Sequence, residues 1–268
     1  MELKRKNEME NGSVTTQSFK FVEDDYTAQA FQFLIAGFET SSSTMSYTLY
    51  QMALNPDIQK RLSTEIREVL KKNNNQITYD SLQDMKYLDM VVSETLRMYP
   101  PLPFLDRKCT EDYKLPAPSG KGNITIPAGT GIYVPLLGIH YDPEYFPNPE
   151  KYDPERFTEE NKQHRPAYSY MPFGEGPRIC IVKDSQTFLD HLTEMNESVD
   201  PLFSRSLFRI KGRKWKHMRN NLSPTFTSGK LKHMFYLVDK CAKELDNYMD
   251  SQMSGGKNFE MLMFYASK

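Results

Sequence analysis

A proline-free run with helical periodicity, from Tyr26 to Leu54, constrains the fold more than any other feature of the chain. Phe31, Leu34, Ile35 and Phe38 follow three- and four-residue spacing, and Met45, Leu49 and Met52 resume it. Its middle, Ala36-Gly37-Phe38-Glu39-Thr40-Ser41-Ser42-Ser43-Thr44, is unusual, because glycine and hydroxyl residues are poor helix formers. Pro56 opens a second helix to about Lys72, with Ile58, Leu62, Ile66 and Val69 on one face, and Asn73-Asn74-Asn75 stops it. The pattern predicts a third helix from Lys86 to Met98, with Asp84 as a candidate N-cap and Tyr99-Pro100-Pro101-Leu102-Pro103 as its end. Short strands and turns are predicted between Arg107 and Tyr141. A long loop rich in proline and aromatic residues follows from Pro143 to Arg178, and an amphipathic helix from Leu231 to Met249. The predicted class is mainly α: multihelical with small β-sheets.

Charge and composition narrow the function classes. Lys+Arg is 34 and Asp+Glu 35, so a net charge of −1 gives no global pull towards nucleic acid or an anionic membrane. The near-zero total hides polarity. Asp184 to Asp200 is acidic, whereas Pro201 to His233 has no acid and nine basic residues: Arg205, Arg209, Lys211, Arg213, Lys214, Lys216, Arg219, Lys230 and Lys232. Hydrophobic content of 38% over 268 residues is thin for a complete core. Cys109, Cys180 and Cys241 are too few for a disulfide framework. Met1 to Glu10 lacks an apolar signal region, residues 1–20 are predicted to be polar and disordered, and the apolar run Ala30–Phe38 is too short to span a bilayer. Absence of an N-terminal anchor, a cytosol-facing location and at most peripheral membrane contact are the expectation.

Five motifs carry candidate chemistry. Phe173-Gly174-Glu175-Gly176-Pro177-Arg178-Ile179-Cys180 can turn tightly and present one cysteine, with Arg178 near any bound anion, as a thiolate ligand to haem iron requires. The bland alternative is a turn followed by a buried structural cysteine. Glu94 and Arg97, three apart on the third helix, can pair, although an exposed pair of this kind contributes only a few tenths of a kcal/mol, on the order of 0.3. Arg156, in Asp153-Pro154-Glu155-Arg156-Phe157, can join them. Glu39 and Thr40 could move protons where the long helix is loosened; otherwise they form a polar surface patch. Trp215 and Arg219, four apart, could grip one anion or lie on a solvated basic face.

Taken together, the first four motifs resemble one family. The chain is similar to the haem-thiolate monooxygenases, the cytochromes P450, and most closely to their microsomal, xenobiotic-metabolising branch of insects and vertebrates. Ala36–Thr40 looks like that family's oxygen-activating helix motif, Glu94 and Arg97 its helix pair, Arg156 the third member of that network, and Cys180 its proximal iron ligand. Leu222-Ser223-Pro224-Thr225-Phe226-Thr227-Ser228-Gly229-Lys230, with Trp215 and Arg219, also matches. The resemblance implies haem b as cofactor, held by Cys180 in a loop containing Phe173 and Gly174, with Arg107, Arg178, Trp215 and Arg219 binding its propionates. It implies proton delivery by Glu39 and Thr40, a small lipophilic substrate, electrons from NADPH-cytochrome P450 reductase docking on the basic block, and the cytosolic face of the endoplasmic reticulum.

The order of the segments departs from the family. Residues 21–181 resemble its C-terminal half and residues 182–268 a piece of its N-terminal half, so the Trp/Arg helix follows the cysteine instead of preceding the oxygen-activating helix. Val182 stands at the seam where the family usually has glycine or alanine. The resemblance implies that the helix after the cysteine, the anchor and most substrate-facing helices are missing. A rearranged or mis-spliced product and a mis-assembled gene product both fit this order. Three readings compete: a monooxygenase, a non-catalytic remnant that binds haem without turnover, and a basic interaction module. No nucleic-acid motif accompanies the charge, so nucleic acid is not an expected partner.

Overall fold

The computed structural model describes residues 22–176, 179–180 and 204–254. Helix α1 runs unbroken over Glu23–Leu54. Its hydroxyl run, expected to loosen it, is accommodated by back-bonding: Thr40 Oγ1 donates to Ala36 O (2.6 Å), Ser42 Oγ to Phe38 O (2.7 Å), Thr44 Oγ1 to Thr40 O (2.8 Å) and Thr48 Oγ1 to Thr44 O (2.8 Å). Side chains that would compete with the ladder are thereby satisfied along the helix itself. Glu23, Asp24 and Asp25 in the first turn complement the helix dipole.

Helix α2 spans Pro56–Lys72, the short α3 Tyr79–Gln83 and α4 Lys86–Met98, close to the predicted bounds. The expected cap of α4 is corrected: the N-cap is Met85 and has no side-chain bond. Asp84 is displaced by a carboxylate from α2. Glu65 Oε1 accepts from Tyr87 N (2.7 Å) and Oε2 from Leu88 N (2.9 Å), so one acid satisfies two amides of the first turn. The main core forms where α1, α2 and α4 meet: Met52, Leu62, Tyr87, Val91, Met98 and Tyr152 are buried together.

Two antiparallel strand pairs follow. β1 (Leu105–Lys108) pairs with β4 (Gly131–Val134), placing Arg107 opposite Ile132, and β2 (Tyr113–Pro116) pairs with β3 (Asn123–Ile126). The strip read as strands and turns also contains the short helix α5, Leu136–His140. The predicted loop after Pro143 is likewise partly regular. It holds a 3₁₀ turn over Pro154–Phe157, capped by Asp153 Oδ1 accepting from Glu155 N (3.2 Å), and α6 over Glu159–His164, capped by Thr158. These elements are one or two turns long, too short to leave a periodic signal.

The basic segment forms α7 (Gly212–Leu222), a 3₁₀ turn (Ser223–Phe226) and the long α8 (Ser228–Ser254). It builds a second, smaller core from Leu207, Ile210, Trp215 and Met218. It docks on the first turns of α1 through polar side chains: Gln29 Nε2 donates to Arg205 O (2.9 Å), Gln29 Oε1 accepts from Leu207 N (2.7 Å), Gln32 Oε1 accepts from Phe208 N (2.8 Å), and Lys214 Nζ lies 3.2 Å from Asp25 Oδ1. The seam at Val182, the acidic run 184–200 and the polar start of the chain lie outside the described residues. No helix among the described residues is long and apolar enough to cross a membrane.

Candidate functional site

The Glu94–Arg97 pair is buried, not the exposed pair of the bland reading: neither side chain has accessible surface. Arg97 Nε and Nη2 form a fork on the two Glu94 oxygens (2.7 and 2.9 Å). Arg97 Nη1 then donates to His140 O (2.8 Å) and Nη2 to Pro149 O (2.7 Å). Glu94 Oε1 also accepts from Asp153 N (2.9 Å), and Arg156 Nε sits 3.4 Å from the same oxygen. Burial pushes the Glu94 carboxyl up from its ordinary range, opposed first by Arg97, then by the Asp153 amide and Arg156. The three residues singled out in sequence therefore meet, and they tie α4 to α5 and to the 3₁₀ turn. A planar, forked guanidinium suits this task because its donors leave in fixed, divergent directions.

The cysteine loop closes on itself. Cys180 N donates to Phe173 O (2.9 Å), Gly174 N to Met171 O (2.9 Å) and Ile179 N to Gly176 O (3.1 Å). Gly174 and Gly176 take φ of 76° and 75°, a left-handed conformation that side chains resist. Cys180 is exposed, which disfavours the buried structural cysteine. Two guanidiniums converge on the backbone of this loop. Arg107 Nη2 donates to Glu175 O (3.1 Å) and Arg219 Nη2 to Ile179 O (3.1 Å). Burial lowers the pKa of both; Cys180 acts in the opposite direction at Arg219, as Asp106 does at Arg107. Arg178 lies outside the described residues. Trp215 is buried in the smaller core beside Met218, so its ring is a packing element that holds α7, and with it Arg219, against the loop. This corrects the view of the Trp215 block as merely a solvated face.

Glu39 and Thr40 are exposed on α1. Thr40 Oγ1 is committed to Ala36 O, and among the described residues no hydrogen bond joins either side chain to the cysteine loop. Sequence reasoning missed His140, which links Arg97 to the segment leading into that loop, and Gln29 and Asp25, which hold the basic segment. A lone histidine and a glutamine inside a helix carry no spacing signal.

The donor set fits a haem. One accessible thiol would suit a thiolate bond to haem iron, and two partly desolvated guanidiniums beside the same loop would suit the carboxylates of the porphyrin. Cys180 would hold the metal, and Arg107 and Arg219 the carboxylates.

Residues 2–181 match the family described as cytochrome P450. Cytochrome P450 6j1 of Blattella germanica is 54% identical over 167 residues, 62% of this chain and 32% of that one. Cytochrome P450 6k1 of the same insect is 49% identical over 192 residues, covering 68% and 36%. A probable cytochrome P450 6d4 of Drosophila melanogaster is 51% identical over 173 residues, covering 65% and 32%. The chain thus spans about a third of the length of the curated relatives it matches. With two thirds of its residues matched, a mainly helical fold and a glycine-bent cysteine loop suited to that family's haem cofactor, the chain belongs to the cytochrome P450 family.

Proposed function

We propose that the chain is a haem-thiolate monooxygenase unit that inserts one oxygen atom from O₂ into a small lipophilic substrate. The observation that carries this reading is the exposed Cys180 thiol in a closed loop flanked by Arg107 and Arg219. Haem, when bound, supplies the redox chemistry. The protein supplies the rest: Cys180 donates electron density as a thiolate, Phe173 and Gly174 shape its loop, and Arg107, Arg178 and Arg219 bind carboxylates, with Trp215 packing behind them. Glu39 and Thr40 hold and move protons on the α1 side. The basic residues of α7 and the start of α8 face an acidic flavoprotein reductase, as electrostatic docking requires. By its family resemblance the working location is the cytosolic face of the endoplasmic reticulum. In this reading residues 21–181 and 182–268 are two pieces of the family fold in exchanged order; the end of the family match at residue 181 and the docking of α7 against α1 and the loop both support it.

The test is ¹⁸O₂ incorporation into a lipophilic alkyl-aryl ether probe with NADPH, a flavoprotein reductase and added haem. Labelled product that disappears in Cys180→Ala supports the reading; haem uptake with no labelled product overturns it. That second outcome would establish the remnant reading, which one observation favours: Leu34, Ile35, Leu49 and Tyr50 of α1 and Tyr236, Leu237 and Val238 of α8 remain exposed.

A further inference from the structure

We infer that His140 is the positioning residue through which the buried Glu94–Arg97–Arg156 network sets the geometry of the cysteine loop, an inference that rests on the haem-thiolate reading. His140 is wholly buried at the end of α5. Its contacts run in both directions. The Arg97 guanidinium donates to His140 O (2.8 Å), and His140 Nδ1 lies 3.1 Å from Arg97 O, so two bonds clasp these residues. On the far side of the ring, Met171 N lies 3.3 Å from His140 Nε2. An amide N–H can only donate, so Nε2 accepts. The neutral tautomer with hydrogen on Nδ1 then donates to Arg97 O, and both ring nitrogens are used. Tyr170 stacks on the ring, centroids 5.4 Å apart at 28°, and is itself pinned by its hydroxyl donating to Ser93 O (2.9 Å).

The chain of bonds continues into the loop without a gap. Met171 O accepts from Gly174 N (2.9 Å), which sets the first glycine turn, and Phe173 O accepts from Cys180 N (2.9 Å). The amide of Met171, itself buried, thus enters the loop hanging on one imidazole nitrogen. Arg107 and Arg219 hold the loop further along, at Glu175 O and Ile179 O, and His140 holds its entry. A loop whose entry is fixed in this way presents the sulfur in one place; a loose entry lets Cys180 wander.

Two substitutions separate the two ring nitrogens. Glutamine places its carbonyl oxygen near the Nε2 position and keeps the acceptor for Met171 N. Asparagine places its amide near Nδ1, keeps the donor to Arg97 O and leaves Met171 N unsatisfied. In the haem-free full chain, His140→Asn is expected to raise amide exchange across residues 171–180 by about tenfold or more, and alkylation of Cys180 in parallel, while amides of α4 change little. His140→Gln is expected to stay within about threefold of the parent. After haem loading, reduction and carbon monoxide addition, the Asn variant loses much of the thiolate-type red-shifted Soret band and the Gln variant retains it. Equal exchange in the two variants, or equal exchange gains in α4 and in the loop, overturns the inference. If the Asn variant does not fold, the parent decides: the Met171 amide must be protected as strongly as that of Cys180, and fast exchange at Met171 overturns the role. If the exchange pattern holds but the parent gives no thiolate-type band, the haem-thiolate reading fails and the anchoring of the loop by His140 stands.

Discussion

Glu94 and Cys180 are both reactive groups near the same framework, and the protein treats them in opposite ways. Glu94 is buried and engaged by Arg97, Arg156 and the Asp153 amide. Cys180 is exposed, with its backbone bound and its sulfur accessible. The first arrangement is what a fold-holding group requires, because a buried charge is tolerated only when paired and hydrogen-bonded. The second is what a ligand requires: fixed main chain and available side chain. Glu39 and Thr40 are accessible on α1, whereas Trp215 is buried in a small core.

The largest effect is expected at Arg97. Arg97→Ala leaves the Glu94 carboxylate buried without its forked partner, and a loss of about 3–5 kcal/mol of folding stability is expected in urea denaturation. A loss below about 1 kcal/mol would mean that water or Arg156 replaces the partner, and the framework role would fall.

Acid titration is the next largest effect. Burial, with Arg97 and Arg165 nearby, pushes the His140 pKa down to about 4, with the Arg97 carbonyl acting the other way. The unfolded chain protonates its histidine near ~6.5, while the folded state resists until about 4, so stability falls as pH drops through that window. The contribution is up to about 3 kcal/mol, fully present above pH ~6.5. Glu94, whose pKa is raised, works in the opposite sense on acidification, so the measurement is the stability difference between the parent and His140→Gln. That difference should shrink between neutral pH and pH 4; a pH-independent difference would show that His140 titrates normally.

The basic segment is attached through polar contacts, with Gln29 bonding both Arg205 O and Leu207 N. Gln29→Ala removes the acceptor of the Leu207 amide and a donor to the Arg205 carbonyl, and a cost of about 1–3 kcal/mol is expected, confined to residues 204–226. Limited proteolysis should cut that segment faster while α4 stays intact. Cleavage spread through both regions would mean that the two cores unfold as one. The smallest effect is expected at Lys232, whose ion pair with Asp80 joins two exposed side chains. Lys232→Ala should change stability by less than about 0.5 kcal/mol, and a larger change by thermal unfolding would assign α8 a docking role that its exposed face does not suggest.

Much of this was legible in the sequence where periodicity or local order carries it. The bounds of α2 and α4 could be read from apolar spacing, proline and asparagine, because one apolar stripe decides both packing and extent. The partnership of Glu94, Arg97 and Arg156 followed from the family motifs, but its burial did not, since three-residue spacing looks the same on an exposed helix. Glu65 capping α4, Gln29 receiving Leu207 and His140 receiving Met171 were not legible. Each is a single polar side chain used across 22 to 178 positions of sequence, and such contacts leave no local pattern.

We propose that the chain presents Cys180 as a thiolate ligand on a loop held by the buried framework. The direct measurement is the reduced carbon monoxide spectrum of the haem-loaded full chain, beside that of Cys180→Ala. A thiolate-type red-shifted Soret band is expected in the parent and none in Cys180→Ala. A parent band of the neutral-thiol or histidine type, or a thiolate-type band that persists in Cys180→Ala, would contradict it.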